Sequence, residues 1–268
     1  RANYMLRTLT PSAVSDYARA HDTAIRNAFA RIFELSEDIS HSVPFRSRLE
    51  MPVRFGGIGL QSADRIAPSA YWSSWADSLS TLNKRVPGFR NFFLGSMAGV
   101  AVLSPNHADC LQQLHRSALQ LLSIEGARVP TWQELCQGDM SPDNQEEDDD
   151  DGNYEWRPGW QYYMSNHINR KMASDFQQSL TSSELAVLRS GSGPHCAPWL
   201  HVIPYENGLS LDDAQFRVSM LRRLYLPASP FNNPCPGCRN HLDQYGFHRT
   251  TCMRTGVVHA RHKVLVNS

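Results

Sequence analysis

The sequence predicts a mainly α-helical fold, an irregular bundle of several helices, for three reasons. Apolar residues recur at intervals of three and four in several segments, which is the period of an amphipathic helix. Helix-start signals precede several of these segments. No stretch alternates apolar and polar residues for long enough to indicate a sheet, and the sequence contains no internal repeat.

Three helices are predicted in the first part of the chain. Thr10 and Pro11 fit the N-cap and first position of a helix, and the apolar spacing behind them continues to Ile32. A second helical pattern contains residues 71–79, and a third begins at Ser104-Pro105 and continues to Leu122. These segments are long enough to bury one apolar face each.

A turn region is predicted between the first two of these helices. Pro44 and Pro52 indicate that the chain turns there. The stretch Gly56-Gly57-Ile58-Gly59 places three glycines in four positions. Because glycine lacks a Cβ atom, this pattern favours a tight turn or a close approach between two backbone segments.

Two capping boxes indicate further helix starts. Thr131-Trp132-Gln133-Glu134 opens a short helix that Gly138 would close. Ser210-Leu211-Asp212-Asp213 is predicted to open another helix, which continues through Arg222-Arg223.

Residues 139–155 separate two helical regions. They are Asp, Glu, Asn, Gln, Ser, Pro and Gly with almost nothing apolar before Tyr154, and residues 146–151 are six consecutive acids. Such a composition cannot offset the entropy lost on ordering. We therefore predict a disordered linker or surface insertion, with helices resuming over residues 160–176 and 182–188.

Four residues near the C-terminus have the spacing of a zinc site. Cys235 and Cys238 flank the turn Pro236-Gly237, and one helical turn would place His248 and Cys252 on a common face. The pattern C-x2-C-x9-H-x3-C supplies three sulfurs and one nitrogen, a set that Zn²⁺ binds in closed, structural sites. The predicted fold therefore includes a small zinc-stabilised loop at the C-terminal end.

Other interpretations of these residues remain open from the sequence. His241, His259 and His262 compete with His248 for the fourth ligand position. The residues could also be buried reduced thiols, or a redox pair, although no βαβ pattern surrounds the Cys-x-x-Cys motif. Six cysteines in 268 residues are too sparse for a disulfide scaffold, and their clustering favours a metal.

Positive charge is concentrated in the C-terminal part of the chain. The whole chain has no net charge, but residues 214–268 contain eight Arg and Lys against one acid, a net charge of +7. This excess favours an anionic partner, nucleic acid above all, although a solvated basic face would show the same pattern. The residues proposed to contact phosphates are Arg222, Arg223, Arg239, Arg249, Arg254, Arg261 and Lys263.

Readout of a specific base sequence is not indicated. Only Tyr245 and Phe247 are aromatic residues close to the cluster of basic positions, so few side chains are available for base stacking. Arg222 and Arg223 lie in the preceding helix and could instead be solvated or paired with acids.

No catalytic site is predicted in this chain. Residues 148–151 belong to the low-complexity acidic run, and Asp212 and Asp213 fit the first turn of a capped helix better than a two-metal site. Nucleophile-elbow, Walker and dinucleotide-binding motifs are missing from the sequence.

We expect an intracellular protein that has no membrane partner. No apolar stretch approaches the ~20 residues of a membrane span, and the N-terminal residues lack the apolar region of a signal peptide. Because the sequence begins with Arg1 and ends in an apolar pattern, we also expect it to be an excerpt of a longer chain.

A series of short motifs runs through the whole chain. The first half contributes residues 3–7, 17–22, 49–60 and 70–72. The second half contributes residues 159–161, 192–194, 199–200, 216, 221–224, 226–227, 235–252, 255–256 and 261–262. In content and order they resemble the C-terminal region of reverse-transcriptase-like proteins of non-LTR, LINE-like retrotransposons. Residues 52–60 and the Cys-His loop are the most specific parts of this resemblance.

The resemblance implies a position in a larger protein rather than an activity. In that family this region follows the polymerase palm, supplies a helical thumb or connector, and ends in a zinc knuckle that precedes a nuclease-like domain. The palm aspartates and nuclease carboxylates are absent from this sequence, so we expect no catalysis from it alone. The family usually has an aspartate before the knuckle histidine, where this chain has Phe247, so a carboxylate partner of His248 is missing.

These inferences divide the chain into four parts: a thumb- or connector-like region (1–138), the acidic linker (139–155), a second helical region (156–230) and the knuckle leading into a downstream domain (231–268). The expected function is noncatalytic engagement of RNA or DNA, positioning template, primer or target, with structural Zn²⁺ as cofactor. The other expected partners are the remaining domains of the parent polyprotein, and the expected location is the nucleus. The alternative is a structural or protein-interaction helical module in which zinc only stabilises the fold.

Overall fold

A computed structural model describes residues 2–100, 109–138, 159–194, 196, 198–200, 210–228, 234–256, 258–259 and 263. These residues are mostly helical, and the β-structure found among them is one isolated antiparallel bridge between Pro234 and His241. The predicted mainly α-helical fold is confirmed. No helix in these ranges combines the length and the apolar character that crossing a bilayer requires.

The α-helices are numbered in chain order. They are α1 (Ala2–Thr8), α2 (Pro11–Ile32), α3 (Glu37–His41), α4 (Val43–Glu50), α5 (Ala63–Arg85), α6 (Phe89–Val100), α7 (Asp109–Leu122), α8 (Trp132–Gln137), α9 (Trp160–Gln178), α10 (Ser182–Ser190), α11 (Asp213–Arg223) and α12 (Phe247–Thr251). The predicted acidic linker and the predicted helix start at Ser104 lie outside the described residues.

The capping signals were correct at one position and misplaced at the other. Thr131 caps α8 through the predicted box, and Gly138 ends that helix in the left-handed conformation. The box assigned to Ser210 is wrong, because Asp212 is the N-cap of α11 and Gln215 completes its box. The Asp212 carboxylate accepts the Gln215 backbone N–H at 2.7 Å, which an aspartate does as well as a serine.

The predicted turn at Pro44 is also wrong, since Pro44 is the second residue of α4. A proline is tolerated in the first turn of a helix, where its missing N–H has no intrahelical partner in any case. Phe45 and Leu49 lie four residues apart in α4 and are both almost fully buried. Their burial stabilises a helix whose sequence alone suggests a bend.

The described chain divides into two compact units, each built from segments that are distant in sequence. Unit 1 combines Arg1–Phe29, Glu50–Pro52 and Gly59–Ser179, and unit 2 combines Ala30–Leu49, Val53–Ile58 and Leu180–Ser268. The predicted segment end at residue 138 falls within unit 1.

Helix α5 is the centre of unit 1 and packs against α1, α7, α8 and α9. Its residue Trp72 is completely buried. The Trp72 ring contacts Trp160 of α9 edge to face, with centroids 5.7 Å apart, and Trp132 of α8 at 6.4 Å. Truncation of such a side chain to alanine costs about 3–5 kcal/mol of unfolding free energy.

Asp22 of α2 holds the N-terminus of α5. Its carboxylate accepts hydrogen bonds from the Ser62 hydroxyl at 2.6 Å and from the backbone N–H groups of Ala63 at 2.8 Å and Asp64 at 3.1 Å. Burial acts to raise the pKa of Asp22, but the hydrogen bonds outweigh it and the pKa is lowered.

In unit 2 the glycine-rich turn packs against α10. The glycine pattern predicted a close backbone approach, and its partner is found in the structure. Gly56 has φ +91°, and a Cβ atom added there would lie 2.8 Å from the backbone oxygen of Leu188. The backbone N–H of Gly193 donates to the Arg54 oxygen at 2.8 Å. Only glycine fits position 56, because both its conformation and its contact exclude a side chain.

Candidate metal centre

The first two cysteines lie on a tight knuckle. The backbone N–H of Cys235 donates to the Asn240 oxygen at 2.7 Å, and the Arg239 N–H donates to the Cys235 oxygen at 2.8 Å. Arg239 closes the turn in the left-handed conformation, with φ +64°. The turn Pro236-Gly237 thus presents both sulfurs to the same side.

Gly237 allows this knuckle to touch the chain that follows the last cysteine. A Cβ atom at Gly237 would lie 2.9 Å from the carbonyl carbon of Arg254 and 3.0 Å from the backbone nitrogen of Thr255. The two halves of the metal loop, residues 234–256, therefore meet at this glycine.

The other two ligands are carried by α12. His248 is its second residue, and Cys252 follows its last residue, with the Cys252 N–H donating to the His248 oxygen at 2.8 Å. The Asp243 carboxylate accepts the N–H groups of Tyr245 and Phe247, each at 3.0 Å, and that of His248. Asp243 therefore fixes the first turn of α12 and with it the position of His248.

The four predicted ligands converge. The Sγ atoms of Cys235, Cys238 and Cys252 and a ring nitrogen of His248 all lie within 4.8 Å of one another. Cys235 and Cys252 sulfurs are 3.7 Å apart, and Cys238 Sγ lies 3.0 Å from His248 Nε2. Zn–S bonds of ~2.3 Å in a tetrahedron separate two sulfurs by ~3.8 Å, so the distance between the Cys235 and Cys252 sulfurs already fits zinc. The distance from Cys238 Sγ to His248 Nε2 is somewhat shorter than the separation of a sulfur and a nitrogen that bind one zinc ion.

The chemistry of the donors also fits a metal. The backbone N–H of Cys238 and the other donors around Cys235 lower the pKa of this thiol to about 6. The Asn240 N–H acts to lower the pKa of Cys238, but burial and the neighbouring cysteine side chains outweigh it and the pKa is raised. One ligand is thus already a thiolate at neutral pH, the form that metals bind.

The structure distinguishes between the competing histidines that it describes. His248 belongs to the cluster, whereas His241 and His259 are exposed and do not. His262 lies outside the described residues. Within the described part of the chain, the four residues that could hold a metal here are therefore Cys235, Cys238, His248 and Cys252.

An aromatic stack joins the metal loop to the end of α11. Tyr225 and Tyr245 lie parallel with ring centroids 4.2 Å apart, and the Phe247 ring lies beside both, 6.2 Å from Tyr225 and 5.9 Å from Tyr245. The guanidinium group of Arg222 lies over the Phe247 ring, with its carbon 5.2 Å from the ring centroid. Arg222 also donates to the Thr250 hydroxyl at 3.3 Å.

The residues predicted to contact phosphates fall into different environments. Arg239, Arg249, Arg254 and Lys263 are exposed. Arg223 is half-buried, and its Nε and Nη2 donate to the backbone oxygens of Gly57 and Val53, each at 2.8 Å, which gives it a structural role. Arg222 is half-buried against Phe247, and Arg261 lies outside the described residues.

Two residues that matter at this site were not singled out for it by the sequence reasoning. Asp243 was part of the family resemblance, but its role in holding the His248 backbone was not predicted. Tyr225 was not identified at all. An Asp placed shortly before Gly246, which has φ +72° at the N-cap of α12, is the signal that could have indicated the turn.

Comparison with known proteins adds no relative to this description. The chain matches no protein-family model, no curated protein and no solved structure.

Proposed function

We propose that this chain engages nucleic acid without catalysing a reaction on it, through a zinc-stabilised basic loop. The observation that carries the proposal is the composition of residues 234–256. Arg239, Arg249 and Arg254 are exposed around the ligand cluster, and the one acid of this segment, Asp243, is held by backbone N–H groups. Such an arrangement presents cations outward and suits contact with phosphates.

The metal would be structural in this proposal. Three thiolates and one imidazole fill the tetrahedral sphere of Zn²⁺, and they leave no position for substrate. With three thiolates the centre has a net charge of −1, so it does not attract phosphate by itself. Its contribution is to hold the backbone from which the arginines project.

The resemblance to non-LTR retrotransposon reverse transcriptases supports a more specific proposal. Placed between a polymerase palm and a nuclease-like domain, the chain would position template, primer or target DNA while those domains carry out the chemistry. Its other partners would be the remaining domains of the parent polyprotein, and its location would be the nucleus.

Fluorescence anisotropy tests the proposal. The zinc-loaded chain is titrated into labelled 20-mer RNA, single-stranded DNA and duplex DNA at several salt concentrations. We expect binding that weakens as salt rises, because each phosphate contact releases a condensed counterion. The double variant Arg249→Glu, Arg254→Glu should bind at least tenfold more weakly at low salt.

The matched control is Arg85→Glu, Arg116→Glu, which changes the charge equally at two exposed arginines of unit 1. It should bind almost as tightly as the unmodified chain. Absence of binding to all three nucleic acids in low salt, or equal losses in both double variants, contradicts the proposal.

A second candidate function is a structural or protein-interaction module in which the metal only fastens the C-terminal segment. The observation that favours it is the Tyr225, Tyr245 and Phe247 stack, together with the Arg222 contact to Thr250, which ties α12 to α11. Under this candidate, chelation of the metal lowers the melting temperature, whereas the Arg249→Glu, Arg254→Glu variant keeps every interaction of the chain.

A further inference from the structure

A cleft of about 440 Å³ lies in unit 2 beside the metal loop. One wall is apolar and comes from Val187 of α10, from Leu211, which precedes the N-cap of α11, and from Val218 within α11. Leu211 and Val218 expose 46% and 41% of their surface, so this wall is open to a ligand.

Trp199 forms a second, aromatic wall of the cleft. Its ring lies edge to face against Phe216, with centroids 6.3 Å apart, and the side chain still exposes 37% of its surface. The contact fixes the indole while leaving part of it accessible. A fixed, partly exposed indole is a stacking surface for a flat ligand group.

The charged side chains among the described residues of the cleft are all positive. The described residues that line it include Arg222 and Arg223, the hydroxyls of Ser190 and Ser219, and no carboxylate. Arg223 is occupied by backbone oxygens, whereas Arg222 contacts a neutral hydroxyl and an aromatic ring. Among the described residues no acid pairs with Arg222, so its charge is available to an anion.

We infer that this cleft binds an unpaired nucleobase of a nucleic acid strand, which stacks on Trp199 while its phosphate contacts Arg222. The inference rests on the proposed function and names the form of nucleic acid that the chain engages. A base has flat apolar faces, a polar edge that serine hydroxyls can contact, and an attached negative charge. Bases of a duplex are stacked and paired, so they cannot enter.

The metal loop contributes to this cleft directly. Phe247 is one of its lining residues and precedes the ligand His248. Phe247 and Thr250 are also the two residues of α12 that contact Arg222. Loss of the metal should therefore displace Arg222 and weaken binding of the base as well as contacts to the exposed arginines.

A double-mutant cycle tests the inference. The zinc-loaded chain and its Trp199→Ala variant are titrated against a 16-nucleotide oligo(U), an oligo(dT) of equal length, and a dT strand that carries abasic sites. We expect the variant to bind the two intact strands about tenfold more weakly than the unmodified chain does. The variant and the unmodified chain should bind the abasic strand with equal affinity. A matched duplex should compete poorly.

Further variants keep the test independent of folding. Trp199→Phe retains a stacking ring and should bind within about threefold of the unmodified chain. Val218→Asp places a negative charge in the cleft and should weaken binding, whereas Val43→Asp, at a residue of unit 2 that does not line the cleft, should not. Circular dichroism and zinc content must match the unmodified chain in every variant.

The outcomes separate this inference from the proposed function. Salt-dependent binding that is equal for single strands and duplex, and is unaffected by Trp199→Ala, overturns the cleft assignment and leaves the basic loop in place. Absence of all binding overturns both. If an acidic peptide shields the cleft residues from solvent and an oligonucleotide does not, the cleft belongs to a protein partner. That result also overturns the inference.

Discussion

The carboxylate of Asp243 accepts the backbone N–H of His248, so an acidic side chain five residues upstream sets the position of a candidate metal ligand. The same carboxylate also accepts the Phe247 and Tyr245 N–H groups. The family resemblance implied that a carboxylate beside the histidine is missing here. Asp243 supports the histidine in another way, through its backbone.

Replacement of Asp243 by asparagine should therefore weaken zinc binding about 10- to 100-fold. An asparagine keeps one acceptor oxygen, but its amide nitrogen would face an N–H group that needs an acceptor. Competition with a chromophoric chelator measures the affinity. Asp213→Asn, at an exposed acid of the first turn of α11, should bind zinc as the unmodified chain does.

Metal-free, reduced protein should contain one thiolate at neutral pH. Backbone donation from Cys238 lowers the pKa of Cys235 to about 6, so the folded state favours the thiolate relative to the unfolded chain. Its contribution to stability is fully present above the unfolded thiol pKa and is lost as pH falls through about 6. Ultraviolet absorbance of thiolates, followed from pH 8 to pH 5, detects this step.

Cys235→Ser should abolish that absorbance step. Cys136→Ser should leave it unchanged, because burial raises the pKa of the Cys136 thiol and keeps it protonated at neutral pH. A thiolate signal that survives in Cys235→Ser would show that another cysteine carries the charge.

Asp22→Asn should destabilise unit 1 by about 1–2 kcal/mol, because the asparagine cannot accept all the hydrogen bonds at the N-terminus of α5. The pKa of Asp22 is lowered, so its stabilising effect is present above the unfolded pKa of ~3.9 and is lost as pH falls through its folded value. Denaturant unfolding at pH 7 and at acid pH measures both effects.

Asp16 provides the comparison, since it lies on the same helix and its side chain is 99% exposed. Asp16→Asn should change the unfolding free energy by less than about 0.5 kcal/mol. Below the folded pKa of Asp22 the protonated side chain no longer carries the charge, so Asp22→Asn should cost less unfolding free energy there than at pH 7. An equally large loss at both pH values would contradict the role of the Asp22 carboxylate at the N-terminus of α5.

Gly56→Ala should lower the unfolding free energy by about 3 kcal/mol. Part of this cost comes from the left-handed φ of +91°, and part from the 2.8 Å approach of a new Cβ atom to the Leu188 oxygen. Gly126→Ala separates the two, because Gly126 has φ +77° but nothing within 4 Å of its added Cβ. We expect a loss of about 1 kcal/mol there, and equal losses would rule out the contact.

Features that depend on neighbouring residues could be predicted from the sequence. The capping box of Thr131 and Glu134 spans four residues, and the ligands Cys235 to Cys252 span eighteen, so their spacing already constrains their geometry. The helical period similarly identified α2, α5 and α9.

Features that depend on distant residues could not be predicted. Asp22 is 40 residues from Ser62, and Arg223 is 166 residues from the Gly57 oxygen that it contacts. Nothing in the local pattern around either residue shows these partners. Pro44 misled the prediction for the same reason, since the burial of Phe45 and Leu49, and not local preference, stabilises α4.

The way unit 1 is built has a consequence for cutting the chain. Helix α9 follows residues 139–158 in sequence, yet its Trp160 packs on Trp72 of α5, which precedes them. A protease cut between Gly138 and Gly159 would therefore not release two domains. The two fragments should stay associated without a covalent link, and each one expressed alone should expose half of a shared core, so that only their mixture refolds.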